Sequence, residues 1–226
     1  MICPHCSASN PADQLYCGRC GSSLSQTASG YDTLDRIGTV LHDKYRLRSL
    51  IGIGAAGAVY RAEMESLGTT VAVKVLHPNV SADENARRRL ENEARLASRI
   101  DHPNIVSILD MHSSPGLTFL VMEYLSGISL DEVLAEVGHL GVRRAIHIVR
   151  QLLSALEVSH AIGVLHRDLK PDNVYITLRH DQLDFVKVLD FGMATLTHGA
   201  DTSRITVDGH VCGTPGYMSP EQARNR

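Results

Sequence analysis

The sequence of 226 residues contains no tryptophan and three phenylalanines, and aromatic residues make up 4% of it. It has little excess charge: the formal net charge is -3 at pH 7, which gives no electrostatic reason to expect a nucleic acid or an acidic membrane as partner. No apolar run reaches the length of a bilayer span, and the N-terminus lacks the apolar core of a signal peptide. The chain is therefore expected to be cytoplasmic, and its 43% of hydrophobic residues predict a globular fold.

Cysteine is also scarce, and four of the five cysteines lie within the first twenty residues. They form two C-x-x-C pairs with ten residues between them, at Cys3, Cys6, Cys17 and Cys20. Four thiolates at this spacing can bind one Zn2+ ion tetrahedrally. Two disulfides or redox-active pairs are the alternatives, and zinc is favoured because no βαβ pattern and no secretion signal accompany the pairs. The stretch resembles the small zinc-ribbon modules of bacterial proteins.

A change of composition follows the cysteines. Residues 21–38 are rich in Ser, Gly and Thr and have no sustained apolar period, which is typical of a flexible linker. We therefore divide the chain into a zinc ribbon at 1–22, a linker at 23–43 and a main domain at 44–226.

The main domain begins with short β-rich runs and becomes helical after Tyr124. One helix interrupts the β-rich part, and the capping box of Ser81 and Glu84 predicts its start. A second capping box, at Ser129 and Glu132, opens the helical part. A long amphipathic run from about Val142 to Ala161 then predicts a helix that Gly163 terminates.

Three glycines lie in the apolar stretch "IGIGAAGAVYRA" at residues 51–62. Glycine weakens a strand, so Gly52, Gly54 and Gly57 together indicate a close approach of the backbone to a ligand. Phosphate is the usual ligand of such a loop. The pattern alone is weakly specific.

A lysine and a glutamate follow the glycines. In "VAVKVL", Lys74 lies on a predicted strand, on the same face as Ala72 and Leu76. A lysine on an apolar face needs an anion. Glu93, on the inward face of the predicted helix, can supply one, since it lies three residues after Leu90.

Further motifs follow in the order "VLHRDLKPDNVYI", "DFG" at residues 190–192, and "GTPGYMSPE". With the glycine loop, the strand lysine and the helix glutamate, they make residues 45–226 resemble roughly the first two thirds of a bacterial Ser/Thr protein kinase domain of the eukaryotic (Hanks) type. The resemblance implies an α+β, two-lobe fold, with a complete β-rich N-lobe at 44–124 and an incomplete helical C-lobe at 125–226. It also implies a transferase that uses ATP with Mg2+ or Mn2+ to phosphorylate Ser and Thr hydroxyls of proteins.

The resemblance assigns nucleotide-binding roles in the N-lobe. The three glycines would cover the ATP phosphates, and Lys74, braced by Glu93, would hold the α- and β-phosphates. The side chains and backbone groups expected around adenine are those of Val59, Ala72, Met122, Glu123 and Leu125.

Catalytic roles fall in the C-lobe by the same resemblance. Asp168 would orient and deprotonate the substrate hydroxyl, and Lys170 would neutralise the transferred phosphoryl group. Asn173 and Asp190 would bind Mg2+. Lys170, two positions after the aspartate, resembles Ser/Thr kinases rather than tyrosine kinases.

Autophosphorylation between two copies of the chain is a further expectation. Arg167 is the kind of arginine that pairs with a phosphorylated activation loop in similar kinases, and the candidate acceptors are Thr202, Ser203 and Thr206. The alternative is that these are only polar loop residues. The run Arg87, Arg88 and Arg89 either docks the same phosphate or forms a solvated face. Cys212 is interpreted as a small, partly buried residue.

The chain ends at "SPEQARNR", where similar kinases continue with further helices. We therefore expect a fragment of a longer protein that is inactive alone. A membrane segment beyond residue 226 is one of the alternatives for the rest of that protein. The alternative is a catalytically silent scaffold that recruits partners through its zinc ribbon. Nucleic-acid binding by the ribbon is the weakest hypothesis, because Arg19 is its one basic residue and Tyr16 its one aromatic residue.

Overall fold

The computed structural model describes residues 10, 36–54, 57–77, 84–179, 182–191 and 215–223. These residues divide into two compact units. The first contains the described part of Met1–Asp83 together with Asp110–Tyr124, and the second contains Glu84–Leu109 and the described part of Leu125–Arg226. The four zinc-ribbon cysteines, the three candidate phosphorylation sites and Cys212 lie outside the described residues.

The first unit is built on a six-stranded sheet with the order β1-β2-β3-β4-β6-β5. The strands are β1 (Val40–Leu41), β2 (Tyr45–Gly54), β3 (Gly57–Met64), β4 (Thr69–Leu76), β5 (Ile108–Ser114) and β6 (Leu117–Glu123). Each β-rich run of the sequence forms one of these strands, because β-branched and apolar residues suit a pleated, buried surface.

Strand β1 lies in what the sequence predicts to be linker. Val40 is opposite Arg46 and Leu41 is opposite Tyr45 in an antiparallel pair, and Leu41 is buried. The sheet therefore begins before residue 44, with Val40 and Leu41 as its first strand. The sequence does not reveal this pairing, since a two-residue strand is stabilised by its partner rather than by its own residues.

Alternation along the central strands gives the sheet two different faces. One face forms an apolar core in which Tyr60, Val71, Val73 and Val121 are each fully buried. The other face carries the residues between them, including Lys74. The period of two thus separates the folding core from the face on which the nucleotide-binding residues are expected.

The second unit combines a three-stranded sheet with four helices. The strands, in the order β7-β8-β9, are β7 (Gly127–Ser129), β8 (Val174–Arg179) and β9 (Gln182–Val188). The helices are α1 (Glu84–Ala97), α2 (Leu130–Val137), α3 (Val142–Ala161) and α4 (Pro220–Ala223), with 3-10 turns at Pro171–Asn173 and Pro215–Tyr217.

The local signals of the helical part are confirmed. Ser129 Oγ accepts from the Glu132 N–H at 3.1 Å, and the Glu132 carboxylate accepts from the Ser129 N–H at 2.7 Å, which completes the capping box of α2. Helix α3 spans the predicted residues, and Gly163 follows its end with φ +78°. Within the described ranges, none of the helices combines the length and apolar character that crossing a lipid bilayer requires.

The predicted N-lobe, residues 44–124, is not a single unit in the structure. Glu84–Leu109 groups with the helical unit. The reason is packing: Ala97, Ile100 and Ile105 lie in the same apolar cluster as Ile148 and other buried residues of the second unit. Along the chain, the last segment of the first unit ends at Tyr124 and the second unit resumes at Leu125.

Candidate active site

The register of the first sheet brings four predicted nucleotide-binding residues onto one face. Val59 is directly opposite Lys74, and Ala72 is directly opposite Met122. Because cross-strand partners share a face and so do residues two apart, all four side chains lie on the side opposite the apolar core. Glu123 ends β6 opposite Val71, and Leu125 follows in the second unit.

The glycines of the loop differ in what surrounds them. A Cβ built on Gly57 would lie 2.1 Å from the carbonyl oxygen of Val75 and 2.8 Å from Cα of Leu76, so this glycine is required by the sheet itself. A Cβ on Gly52 meets no atom within 4 Å, and one on Gly54 meets only a carbonyl oxygen at 3.9 Å. Protein packing therefore explains Gly57, whereas Gly52 and Gly54 leave open space beside the backbone.

Lys74 is buried, with 8% of its surface exposed. Ala72 and Leu76, its neighbours on the same face, are buried as well, as the period of two predicts. Glu93 lies half-buried on α1, on the same helix face as the buried Leu90 and Ala97. Lys74 belongs to the first unit and Glu93 to the second, so their ion pair stays a prediction.

The catalytic loop of the second unit is organised around Asp168. Asn173 Nδ2 donates to the Asp168 carbonyl oxygen at 2.8 Å and approaches its Oδ2 at 3.3 Å. Lys170 Nζ lies 3.3 Å from the same Oδ2. About a quarter of each of the Lys170 and Asp168 side chains remains exposed, 23% and 26%. The carboxylate is thus fixed by its neighbours and still partly exposed to solvent.

His166 connects the catalytic loop to the end of β9. Its Nε2 donates to the Leu189 carbonyl oxygen at 2.8 Å, and its Nδ1 accepts from the Asp168 N–H at 3.3 Å. Burial lowers the pKa of His166 below its usual value, against the raising effects of the Leu189 hydrogen bond and of Asp190 and Asp168. The edge of the ring contacts Phe191, with 4.8 Å between ring centroids. The neutral imidazole therefore ties the segments that carry Asp168 and Asp190.

Asn173 and Asp190 are suited to bind Mg2+. The Leu189 N–H donates to the Asn173 carbonyl oxygen at 2.9 Å, which fixes Asp190 beside the catalytic loop. Since Asn173 Nδ2 faces Asp168, its Oδ1 is the atom available to a cation, and amide and carboxylate oxygens are ligands that Mg2+ prefers. In the described part of the chain no three His, Cys, Asp or Glu residues form a metal site.

Arg167 contacts the segment that follows the activation loop. Its backbone has φ +64°, and its carbonyl oxygen accepts a hydrogen bond from Gln222 Nε2 at 2.6 Å. Gln222 in turn caps α4 together with Ser219. The predicted phosphate partner of Arg167 lies outside the described residues, so that role stays a prediction.

The arginine run on α1 has local partners. Arg88 Nε donates to Glu84 at 2.9 Å, and Arg87 forms an ion pair with the same carboxylate. Arg88 is 72% exposed. Both contacts join residues one turn apart on the helix. The exposure of Arg88 favours the solvated-face interpretation for that residue, whereas the Arg87 side chain is only 12% exposed and does not fit it.

Sequence reasoning missed a polar network behind β9. Asn104 Nδ2 donates to Gln151 Oε1 at 2.9 Å and to the Val186 carbonyl oxygen at 2.8 Å. These residues are 47 and 82 positions apart from Asn104, so no local pattern reveals them. The one available signal is a glutamine on the inward face of an amphipathic helix, where a polar group needs partners.

Comparison with known proteins gives a consistent result. The family model described as protein kinase domain matches residues 45–226. The serine/threonine-protein kinase pkn3 of Myxococcus xanthus is 46% identical over 195 residues, which cover 85% of this chain and 36% of that protein. PknA of Mycobacterium tuberculosis is 39% identical over 193 residues, covering 83% and 43%. The chain thus spans well under half the length of these curated relatives.

Two solved structures are similar in fold. The crystal structure of the PknI kinase domain of Mycobacterium tuberculosis has a TM-score of 0.60 and 31% identity, with 73% of this chain and 68% of that chain covered. The crystal structure of Rad53 1-466 in complex with AMP-PNP has a TM-score of 0.64 and 29% identity, with 80% and 43% covered.

The chain belongs to the protein kinase domain family. The predicted kinase-like fold, with a β-rich part and a partial helical part, is confirmed. The two curated relatives described above are bacterial proteins and are named serine/threonine-protein kinases.

Proposed function

We propose that the protein of this chain is a serine/threonine protein kinase that transfers the γ-phosphate of ATP to Ser and Thr hydroxyls of proteins, including its own. The observation that carries the proposal is that Lys170 and Asn173 both contact Asp168, whose carboxylate remains partly exposed. Phosphoryl transfer demands positioning and charge stabilisation more than covalent chemistry, and these three residues supply both.

Each catalytic residue has a defined task in this proposal. Asp168 accepts a hydrogen bond from the substrate hydroxyl and takes its proton, while Asn173 holds the carboxylate in orientation. Lys170 offsets the negative charge of the phosphoryl group during transfer. Bound Mg2+, held by Asn173 and Asp190, supplies further charge neutralisation at the phosphates.

Nucleotide binding belongs to the same proposal. The face shared by Val59, Ala72, Lys74 and Met122 supports an adenine and phosphate site on the first sheet. The Rad53 structure contains AMP-PNP. A Cβ built on Gly52 or Gly54 would have no close contact, which supports a close approach of phosphates to the backbone there. Lys74 is proposed to bind the α- and β-phosphates and to pair with Glu93.

The test is γ-phosphate transfer from Mg-ATP to the chain itself and to a basic peptide carrying one acceptor, either Ser, Thr or Tyr. It is run on residues 1–226 and on a chain extended past Arg226, each beside an Asp168→Asn variant. The matched control is Asp172→Asn, the same change at an exposed position of the same loop. We expect Ser and Thr labelling by the extended chain, abolished in its Asp168→Asn variant and retained in its Asp172→Asn variant. If Asp168→Asn labels as strongly as the unaltered chain, or if neither chain labels although both fold, the proposed function is refuted and the scaffold hypothesis takes its place.

Autophosphorylation in trans is proposed at Thr202, Ser203 or Thr206. An inactive Asp168→Asn chain of different mass, mixed with active chain, should gain phosphate that peptide mass spectrometry maps to one of these residues. Phosphate found only elsewhere, or only on the active chain, would contradict this site and the intermolecular route.

A zinc site is proposed at Cys3, Cys6, Cys17 and Cys20 on the strength of their spacing. Metal analysis should give one Zn2+ per chain, and Cys3→Ser should reduce it. Cys212→Ser is the matched control and should keep full zinc content. Retention of zinc in Cys3→Ser, or its absence from the unaltered chain, would refute the site.

A further inference from the structure

Helix α3 contacts β9 through two polar side chains. Arg144 donates from Nε and Nη2 to the two carboxylate oxygens of Asp184, both at 2.8 Å, which is the bidentate geometry of a strong ion pair. This hydrogen bonding raises the pKa of Arg144. Gln151, two turns further along the same face, donates from Nε2 to the Asp184 carbonyl oxygen at 2.9 Å. Asp184 is thus held at its side chain and at its backbone.

The held residue has an unusual backbone conformation. Asp184 lies inside β9 with φ +53°, in the left-handed region that L-residues other than Gly, Asn and Asp rarely adopt. Such a conformation persists where the surroundings fix it from several sides. The contacts with Arg144 and Gln151 do so here, and they set the direction in which β9 leaves Asp184.

Gln151 also fixes the following part of β9. Its Oε1 accepts from the Val186 N–H at 3.0 Å and from Asn104 Nδ2 at 2.9 Å. Asn104 in turn accepts at its carbonyl oxygen from the Val188 N–H at 2.8 Å. Every second residue of β9 from Asp184 to Val188 is therefore tied, directly or through Asn104, to one glutamine of α3.

This strand leads directly to the metal-binding position. Val188 is paired with Val174, and the Leu189 N–H donates to the Asn173 carbonyl oxygen at 2.9 Å. Asp190 is the next residue, and its own φ is +57°. A shift of β9 along α3 would change the distance between Asn173 and Asp190, the two residues proposed to share Mg2+.

We propose that Arg144 and Gln151 are positioning residues that hold β9 so that Asp190 faces the cation together with Asn173. The inference rests on the proposed function, since it concerns the metal of that reaction. Residues that orient metal ligands commonly change metal affinity or activity by about 10- to 100-fold when replaced. Because Arg144 and Gln151 act through the backbone, we expect replacement of either residue to weaken metal affinity by about tenfold, the lower end of this range.

The test uses three variants with matched controls. Gln151→Met removes all contacts of the amide, and Arg144→Met removes the ion pair. Asp184→Gly also removes the ion pair but keeps a backbone that tolerates positive φ. The controls are Gln182→Met and Arg143→Met, identical changes at exposed neighbouring positions. Thermal unfolding of every variant first establishes that it is folded.

Two readouts decide the proposal. The first is the dissociation constant of Mn2+ in the presence of a non-hydrolysable ATP analogue, followed by electron paramagnetic resonance. We expect it to rise about tenfold in Gln151→Met and Arg144→Met, with the nucleotide affinity measured without metal unchanged. The double variant Arg144→Met with Asp184→Gly should bind Mn2+ no more weakly than either single variant. Unchanged Mn2+ affinity in folded Gln151→Met would overturn the proposal.

The second readout is hydrogen exchange of the Leu189 amide without nucleotide, which depends on β9 and not on catalysis. We expect faster exchange in Gln151→Met than in Gln182→Met. Equal exchange rates would overturn the positioning role whether or not the chain is a kinase. If the unaltered chain binds no Mn-nucleotide while Leu189 exchange responds to Gln151→Met, the proposed function fails and the connection from α3 to β9 stands.

Discussion

The different surroundings of Gly52 and Gly57 predict opposite effects of the same substitution. In Gly57→Ala, the new methyl group would lie 2.1 Å from the Val75 carbonyl oxygen. Both strands belong to the buried centre of the sheet, where Ala58 pairs with Val75, so the clash must be relieved by moving backbone. Overpacking of this kind costs about 1–3 kcal/mol, and for a chain of this size that lowers Tm by about 2–12 °C.

Gly52→Ala meets no atom within 4 Å, and the residue has no positive φ. Replacing such a glycine reduces the entropy of the unfolded chain and stabilises the fold by about 0.4–1 kcal/mol, or about 1–4 °C in Tm. If the open space admits phosphates, the same methyl group obstructs them, and we expect the ATP dissociation constant to rise about tenfold.

The assay is thermal unfolding by circular dichroism, with ATP binding by isothermal titration on the same samples. Gly141→Ala is the control, because its Cβ also meets nothing within 4 Å and it lies at the start of α3. A Tm of Gly57→Ala equal to that of Gly52→Ala would refute the packing argument. Unchanged ATP affinity in Gly52→Ala would refute the explanation of that glycine by a ligand.

Three further outcomes follow from the structure. Ser129→Ala removes the cap of α2 and should lower the free energy of unfolding by about 1 kcal/mol in urea titrations, whereas Ser126→Ala should not. The Tyr45 hydroxyl donates to Asp110 at 2.7 Å, and burial together with this hydrogen bond raises the pKa of Tyr45 to about 12. Tyr45→Phe should therefore lower the free energy of unfolding by about 1–2 kcal/mol, and an unchanged Tm would contradict this. Because the pKa of His166 is lowered by folding, its contribution is complete above about pH 6.5 and is lost as pH falls. The slope of unfolding free energy against pH below 6.5 should therefore be smaller in His166→Gln by up to about 1.4 kcal/mol per pH unit, and equal slopes would contradict the assignment.

The features predicted correctly from sequence are those that neighbouring residues determine. The capping box at Ser129 depends on residues three positions apart, and the burial of Lys74 between Ala72 and Leu76 follows from strand alternation. The contacts of Asp168 are also local, since Asn173 lies five positions away, but the roles of these residues stay predictions.

The features that escaped prediction depend on distant partners. Gln151 meets Asp184 across 33 positions and Val186 across 35. The positive φ of Asp184 has no local signal of the kind that glycine gives, because the aspartate side chain is held by an arginine 40 positions away. The grouping of Glu84–Leu109 with the helical unit depends in the same way on apolar contacts made much later in the chain.

The discontinuity of the second unit has a consequence for synthesis. Asn104 emerges from the ribosome 82 residues before Val186, its hydrogen-bond partner. At a translation rate of about 5–20 residues per second, that interval lasts about 4–16 s. The strands of the first sheet are complete by Glu123, so this sheet can fold during the delay. Ala97, Ile100 and Ile105 have been synthesised by then, but most of the residues that bury them have not. The nascent chain is therefore expected to expose this apolar segment to chaperones until β9 has been made.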